Sequence, residues 1–198
     1  MTGEGVETIQ DSRLVLVQLA VGQSARPGAP MTLVRSGEDR DLGAIAVMGQ
    51  LRAAPFRFSL VRDADPLKHA ITRRRLLAGL GAPGAQQTEF VIAEEGITAA
   101  AYLVLPVATG TWTIEECGDR DPSGARVGAL LQALLAREPA ESRPIIRGWL
   151  PPGFLPPQVK IAATSPAGSQ LLIHPISSGA MRLKLTGAEV MYWRADLF

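Results

Sequence analysis

The sequence predicts an α/β domain built on a mixed, mostly antiparallel sheet of about six or seven strands flanked by helices. Three stretches carry that expectation. Residues 111–138 read as strand, polar loop and helix: 111–117 alternate β-branched or aromatic residues with carboxylates, and 118–124 hold turn chemistry. Val127, Leu130, Leu131, Leu134 and Leu135 then recur at i, i+3, i+4, i+7 and i+8 until Pro139. Residues 88–94 and 97–107 are apolar runs about the turn Glu95-Gly96, a hairpin that forms an antiparallel meander with the strand at 111. Residues 65–79 suit a helix, with Asp63 or Asp65 as cap, Pro66 in its first turn and Leu67, Ala70, Ile71 and Leu77 on one side.

Composition narrows the function classes. The chain has 198 residues, 46% of them hydrophobic, enough for one large domain or one domain with an appendage. Twenty Lys and Arg against nineteen Asp and Glu leave a net charge of +1, so no global field recruits nucleic acid or an anionic membrane. Cys117 is the single cysteine, which excludes an internal disulfide framework and fits a reducing compartment. The first residues lack a signal-peptide pattern, and the apolar run 97–108 is far shorter than the roughly 20 residues needed to span a bilayer. A cytoplasmic protein without nucleic-acid or membrane partners is expected. Two histidines, one cysteine and no carboxylate cluster predict no metal.

Along the chain, 1–10 has no periodicity and reads as a disordered start, 13–21 alternates as a strand and 24–30 has linker composition. Residues 1–30 are therefore set apart from a main domain at 31–198. The early strand is either the last strand of an absent first half or an addition to the edge of this domain's own sheet; both readings stay open. Residues 32–35 are a strand and 40–53 a helix stopped by Pro55. Arg73-Arg74-Arg75 span most of a helical turn and read as a solvated face. Gly79 to Gly84 match G-x-G-x-x-G as a string but follow a helix, so they read as a cap and turn. Ala99, Ala100 and Ala101 place the middle strand close against a helix. Residues 144–150 and 170–175 are strands, the prolines of 151–157 forbid a helix, and Thr186 to Glu189 form a capping box that starts a short terminal helix through Trp193.

The chemistry concentrates where the 111 strand meets its helix. The first helical turn directs unpaired N–H groups and the positive end of the dipole at the strand end, a position suited to phosphate. Glu115 and Glu116 are adjacent on the strand, so one is expected on each face and they do not form a pair. Either could take a proton from an amine. Cys117 near the helix start is a weak nucleophile candidate, since His69 and His174 show no spacing for a partner base; an inert, partly buried thiol is the better reading. Tyr102 and Tyr192 are the two tyrosines and the two candidate acids.

The segments KHAITRRRLLAGL, EFVIAEEG, TWTIEECGDRDPSGARVGALLQALL and VMYWRADLF resemble the GNAT superfamily of acyl-CoA-dependent N-acyltransferases, more narrowly the C-terminal half of two-part members related to fungal lysine N-acetyltransferases. The resemblance implies the GNAT fold, with the strands at 111 and 144 parallel and splayed where the cofactor enters. It implies acetyl transfer from acetyl-CoA to a small amine or a lysine by direct attack. It points to Glu115 and Glu116 as candidate bases and places Cys117, Arg120, Ser123, Gly124, Ala125, Arg126, Val127 and Gly128 around the cofactor pyrophosphate; the acid has to come from elsewhere than the family's own helix, and Tyr192 is the candidate taken from the two tyrosines. The family's Arg or Gln, two residues, Gly, one residue, Gly or Ala falls on Ser123, Arg126 and Gly128, of which only Gly128 matches. The tyrosine-bearing helix after the 144 strand is replaced by prolines. The alternative is a non-catalytic GNAT-like domain that serves binding or oligomerisation, and an orphaned half predicts a homo-oligomer.

Overall fold

A computed structural model describes residues 7–9, 15–22, 33–61, 63–81, 87–148, 150–151, 153–166, 171–173 and 185–193. In chain order the elements are β1 (Glu7–Ile9), β2 (Val15–Val21), β3 (Leu33–Ser36), α1 (Leu42–Ala53), β4 (Phe58–Ser59) and α2 (Ala64–Gly79). They continue with β5 (Gln87–Glu95), β6 (Thr98–Ala108), β7 (Thr111–Ile114), β8 (Glu116–Asp119), α3 (Ala125–Leu135), β9 (Ile145–Gly148), β10 (Val159–Pro166), β11 (Leu171–Ile173) and β12 (Val190–Met191).

The main sheet has the order β10-β2-β9-β7-β6-β5-β3, and β8 continues the β7 position along β6. The pairs are antiparallel except β7 with β9, which are parallel from Thr111↔Ile145 to Ile114↔Gly148. Side-chain alternation along β5 and β6 divides the core into two layers. Phe90, Ile92, Tyr102 and Val104 meet Leu42 and Ile45 of α1 and Leu67 and Ile71 of α2. Val91, Ala93, Ala101, Leu103 and Leu105 meet Val127, Leu130 and Leu131 of α3. The β5–β6 part of the sheet is thus covered on both faces, and the three alanines of β6 are fully buried between the layers.

Several expectations are corrected. The early strand, β2, does join this domain's sheet, but inside it, between β9 and β10, rather than at an edge. The start of the chain contributes β1, paired with β11. β10 has little strand signal in its sequence, VKIAATSP, which alternates weakly; pairing with β2 rather than local propensity makes it a strand. The capping box at Thr186 and Glu189 forms, yet it initiates only a 3-10 turn. Val190, which is β-branched, and Met191 then leave the helical path to pair in parallel with β4, a tertiary ladder that overrides the local helix signal. The linker at 24–30, the 30/31 boundary and His174 lie outside the described residues. No helix among the described residues is long and apolar enough to cross a membrane.

Candidate functional site at the amino terminus of α3

The strand that leads to the site carries a bulge. Val107 pairs with Trp112 and Val104 with Glu116, so β6 advances three residues while its partner advances four. The extra residue sits at Glu115, whose N–H still reaches the Val104 carbonyl at 3.0 Å. A bulge of this kind turns two successive side chains to one side. Glu115 and Glu116 are accordingly both buried and both meet groups of the α1–α2 face, contrary to the alternation expected of adjacent strand residues. Glu116 Oε1 accepts from the Tyr102 hydroxyl at 2.7 Å, and Tyr102 lies across Gly118, where an added Cβ would stand 2.4 Å from the ring. Glu115 Oε2 lies 2.8 Å from Arg74 Nη1.

The arginine run on α2 is therefore only partly a solvated face. Arg74 is turned inward to Glu115, and Arg75 lies 5.9 Å over the Phe90 ring. Cys117 is fully buried, and burial together with the Glu116 charge pushes its thiol far above the ordinary range, which makes it inert. Tyr192 follows β12 and is half-buried between the core residues Met191 and Trp193.

The loop after β8 builds the anion position that the sequence predicts, and the chain fills it with its own carboxylate. Asp119 Oδ2 accepts the backbone N–H groups of Arg126 at 2.7 Å and Val127 at 3.2 Å, the first turn of α3. Its Oδ1 accepts the N–H of Asp121 at 2.8 Å. Burial raises the Asp119 pKa, and these three backbone donors together with the Arg126 charge oppose that rise. The Asp121 carboxylate in turn accepts the N–H of Ser123 at 2.9 Å, which holds it below the usual carboxylate range.

The remaining loop residues turn to protein partners. Arg126 makes a two-point contact with Glu95, at 2.6 and 2.9 Å, and its Nη1 approaches Asp119 at 3.4 Å. The guanidinium depresses the Glu95 pKa. Arg120 donates to the Thr98 hydroxyl at 3.1 Å. Gly124 caps α3 in the left-handed conformation, φ 73°, and an added Cβ would stand 2.6 Å from the Phe154 ring. Gly128 leaves space that Gln158 occupies, since a Cβ there would lie 1.9 Å from Gln158 Oε1, while Gln158 Nε2 donates to the Ala125 carbonyl at 3.0 Å.

The parallel pairing of β7 and β9 runs from Thr111↔Ile145 to Ile114↔Gly148. Phe154 lies against Gly124 at the α3 amino terminus. It is buried in the α3-side core, and the Arg52 guanidinium lies 4.2 Å from its ring centroid. The described residues of the proline-rich segment form no helix, and its Pro156 also lies against Gly124.

No protein-family model and no curated protein matches the sequence. A crystal structure of a GCN5-related N-acetyltransferase from Anabaena variabilis does match in shape, with a TM-score of 0.50, 8% sequence identity, 81% of this chain covered and 40% of that chain. The fold is the GNAT fold. This chain spans well under half the length of the solved protein it matches.

A GNAT fold implies an acyl-CoA whose pyrophosphate would lie against the first turn of α3. The residues present do not fit that group. The Arg126 and Val127 N–H groups are already donated to a buried carboxylate, the glycine spaces at 124 and 128 are filled, and Arg126 is bound to Glu95. Asp119, Glu95, Phe154 and Gln158 are the residues that sequence reading missed. Asp119 is an acid six residues before the helix start on a turn-rich loop, where its residue type does not set it apart from Asp121. Among the described residues no group of three or more His, Cys, Asp and Glu is placed to hold a metal.

Proposed function

We propose that this chain is a non-catalytic GNAT-fold domain, equivalent to the C-terminal half of two-part acetyltransferases, whose work is binding or assembly rather than holding acyl-CoA. The observation that carries the reading is Asp119, an internal anion on the helix amides where the pyrophosphate would lie. A second phosphate-sized anion there would face a buried carboxylate at close range. The lone thiol, fully buried, is compatible with a cytoplasmic setting. Calorimetry with millimolar acetyl-CoA tests the reading: no heat and no thermal stabilisation are expected. Saturable binding at that site, which would raise stability by about 2.7 kcal/mol at a hundredfold excess over Kd, overturns it.

The bulge supports a second reading, acetyl transfer from acetyl-CoA to a primary amine. It brings two buried glutamates to one face, a placement suited to a base such as Glu116 or Glu115, with Tyr192 as the acid. It also requires Cys117, Arg120 and the 123–128 loop to take a pyrophosphate that Asp119 now replaces. Turnover of acetyl-CoA with small amines or lysine, reduced by Glu116→Gln, would favour this reading over the first.

A further inference from the structure

Beside the last turn of α3 lies a cavity of about 440 Å³, within the range of roughly 300–1,000 Å³ that small-molecule sites occupy. It is at the opposite end of α3 from the amides that Asp119 holds. Its apolar lining is Val34 of β3, Val91 of β5, Leu105 and Val107 of β6, Trp112 of β7 and Leu134 of α3.

Charges are set into this lining. Glu89 stands opposite Leu105 in the β5–β6 register and two residues before Val91, so it issues from the α3 face of the sheet, where the alternation otherwise places core residues. Arg137 and Glu138, just past α3, line the same cavity. Among the described residues none of these three side chains has an ion-pair or hydrogen-bond partner. Trp112 is buried to 8% exposure, and its indole N–H keeps contact with solvent and donates to no protein group. A buried indole ordinarily finds an acceptor within the protein.

The pattern selects a ligand with three parts. The apolar lining takes a hydrocarbon or aromatic group. The guanidinium and the indole N–H, both donors only, take a carboxylate. The two glutamates, beside the negative end of the α3 dipole, take an ammonium. A simple organic acid would face Glu89 and Glu138 with a like charge, and a simple amine would leave Arg137 and the indole without an acceptor.

We propose that this cavity binds a free apolar α-amino acid, its side chain on the apolar lining, its carboxylate at Arg137 and the Trp112 N–H, and its ammonium at Glu89 and Glu138. Such a molecule carries both charged groups on one carbon, and Arg137 and Glu138 are neighbours in the chain, so one ligand meets both. The site shares no residue with the α3 amino terminus and stands whether or not acetyl-CoA binds there.

The Trp112 indole signal in nitrogen–proton spectra tests the proposal. Trp112→Phe identifies that signal among the three tryptophans, and the wild-type chain is titrated with L-leucine and L-phenylalanine. Saturable displacement by at least one of them is expected. Arg137→Gln, Glu89→Gln/Glu138→Gln, and the analogues phenethylamine and 3-phenylpropanoate should each weaken binding about tenfold or more, because each removes a charge-assisted contact. No saturable displacement up to tens of millimolar amino acid overturns the proposal. Equal affinity for the two analogues, or unchanged affinity in both variants, overturns it as well, since the cavity would then capture apolar groups without reading the charges.

Discussion

Asp119 Oδ2 lies 2.7 Å from the backbone nitrogen of Arg126, seven residues ahead of it in the chain, so a side chain at the end of a strand serves as the cap of the following helix. The nominal N-cap, Gly124, makes no side-chain bond. The cap and the anion position are one place. The Arg126 and Val127 amides held in this way are not offered to a ligand.

Replacing Asp119 by Ala should cost about 1–3 kcal/mol, the range for buried donors left without an acceptor. Urea unfolding would show a lower midpoint with an unchanged slope. Asn at the same position keeps an acceptor and should recover part of the loss.

Phe154→Ala should destabilise by about 3–5 kcal/mol, because it opens a cavity in the α3-side core and removes the ring under Arg52. Phe154→Leu should retain more than half of the stability. A Phe154→Ala variant within about 0.5 kcal/mol of wild type would mean that the proline-rich segment is not packed here.

Arg74→Met leaves Glu115, buried at 4% exposure, without the cation beside it. Breaking a buried pair by removing one member costs about 3–5 kcal/mol, and the part-exposed guanidinium brings the expectation to the lower end. Arg73→Met, on the exposed part of the same run, should change stability by less than about 0.5 kcal/mol.

Glu189 is bound by Arg57 and by Thr186, which lower its pKa from 4.5 to about 2. The folded value lies below the unfolded one. Its contribution to stability is therefore complete above pH about 4.5 and is lost as pH falls from there towards about 2. Carboxyl titration followed by NMR should give Glu189 a midpoint near 2, and Arg57→Ala should return it towards 4.5.

The meander, the three helices and the strand-loop-helix at 111–135 were legible, because their apolar residues recur with one clear period. β10 and β12 were not, since their strand character comes from partners distant in sequence. The placement of Glu115 and Glu116 was hidden for a related reason. A bulge changes the face of a side chain without changing any residue type, and only the register to β6 reveals it. The anion position at α3 could be read from helix physics, but its occupant could not, because Asp119 looks like any turn residue until its carboxylate is seen on the amides.

The backbone amides of Arg126 and Val127 report directly on whether the α3 amino terminus is closed. In nitrogen–proton spectra of the wild-type chain titrated with acetyl-CoA to millimolar concentration, both signals should stay at their free-protein positions, because Asp119 holds both amides. Saturable displacement of these two signals by acetyl-CoA would show that the ligand expels the carboxylate, and it would contradict the closed cradle.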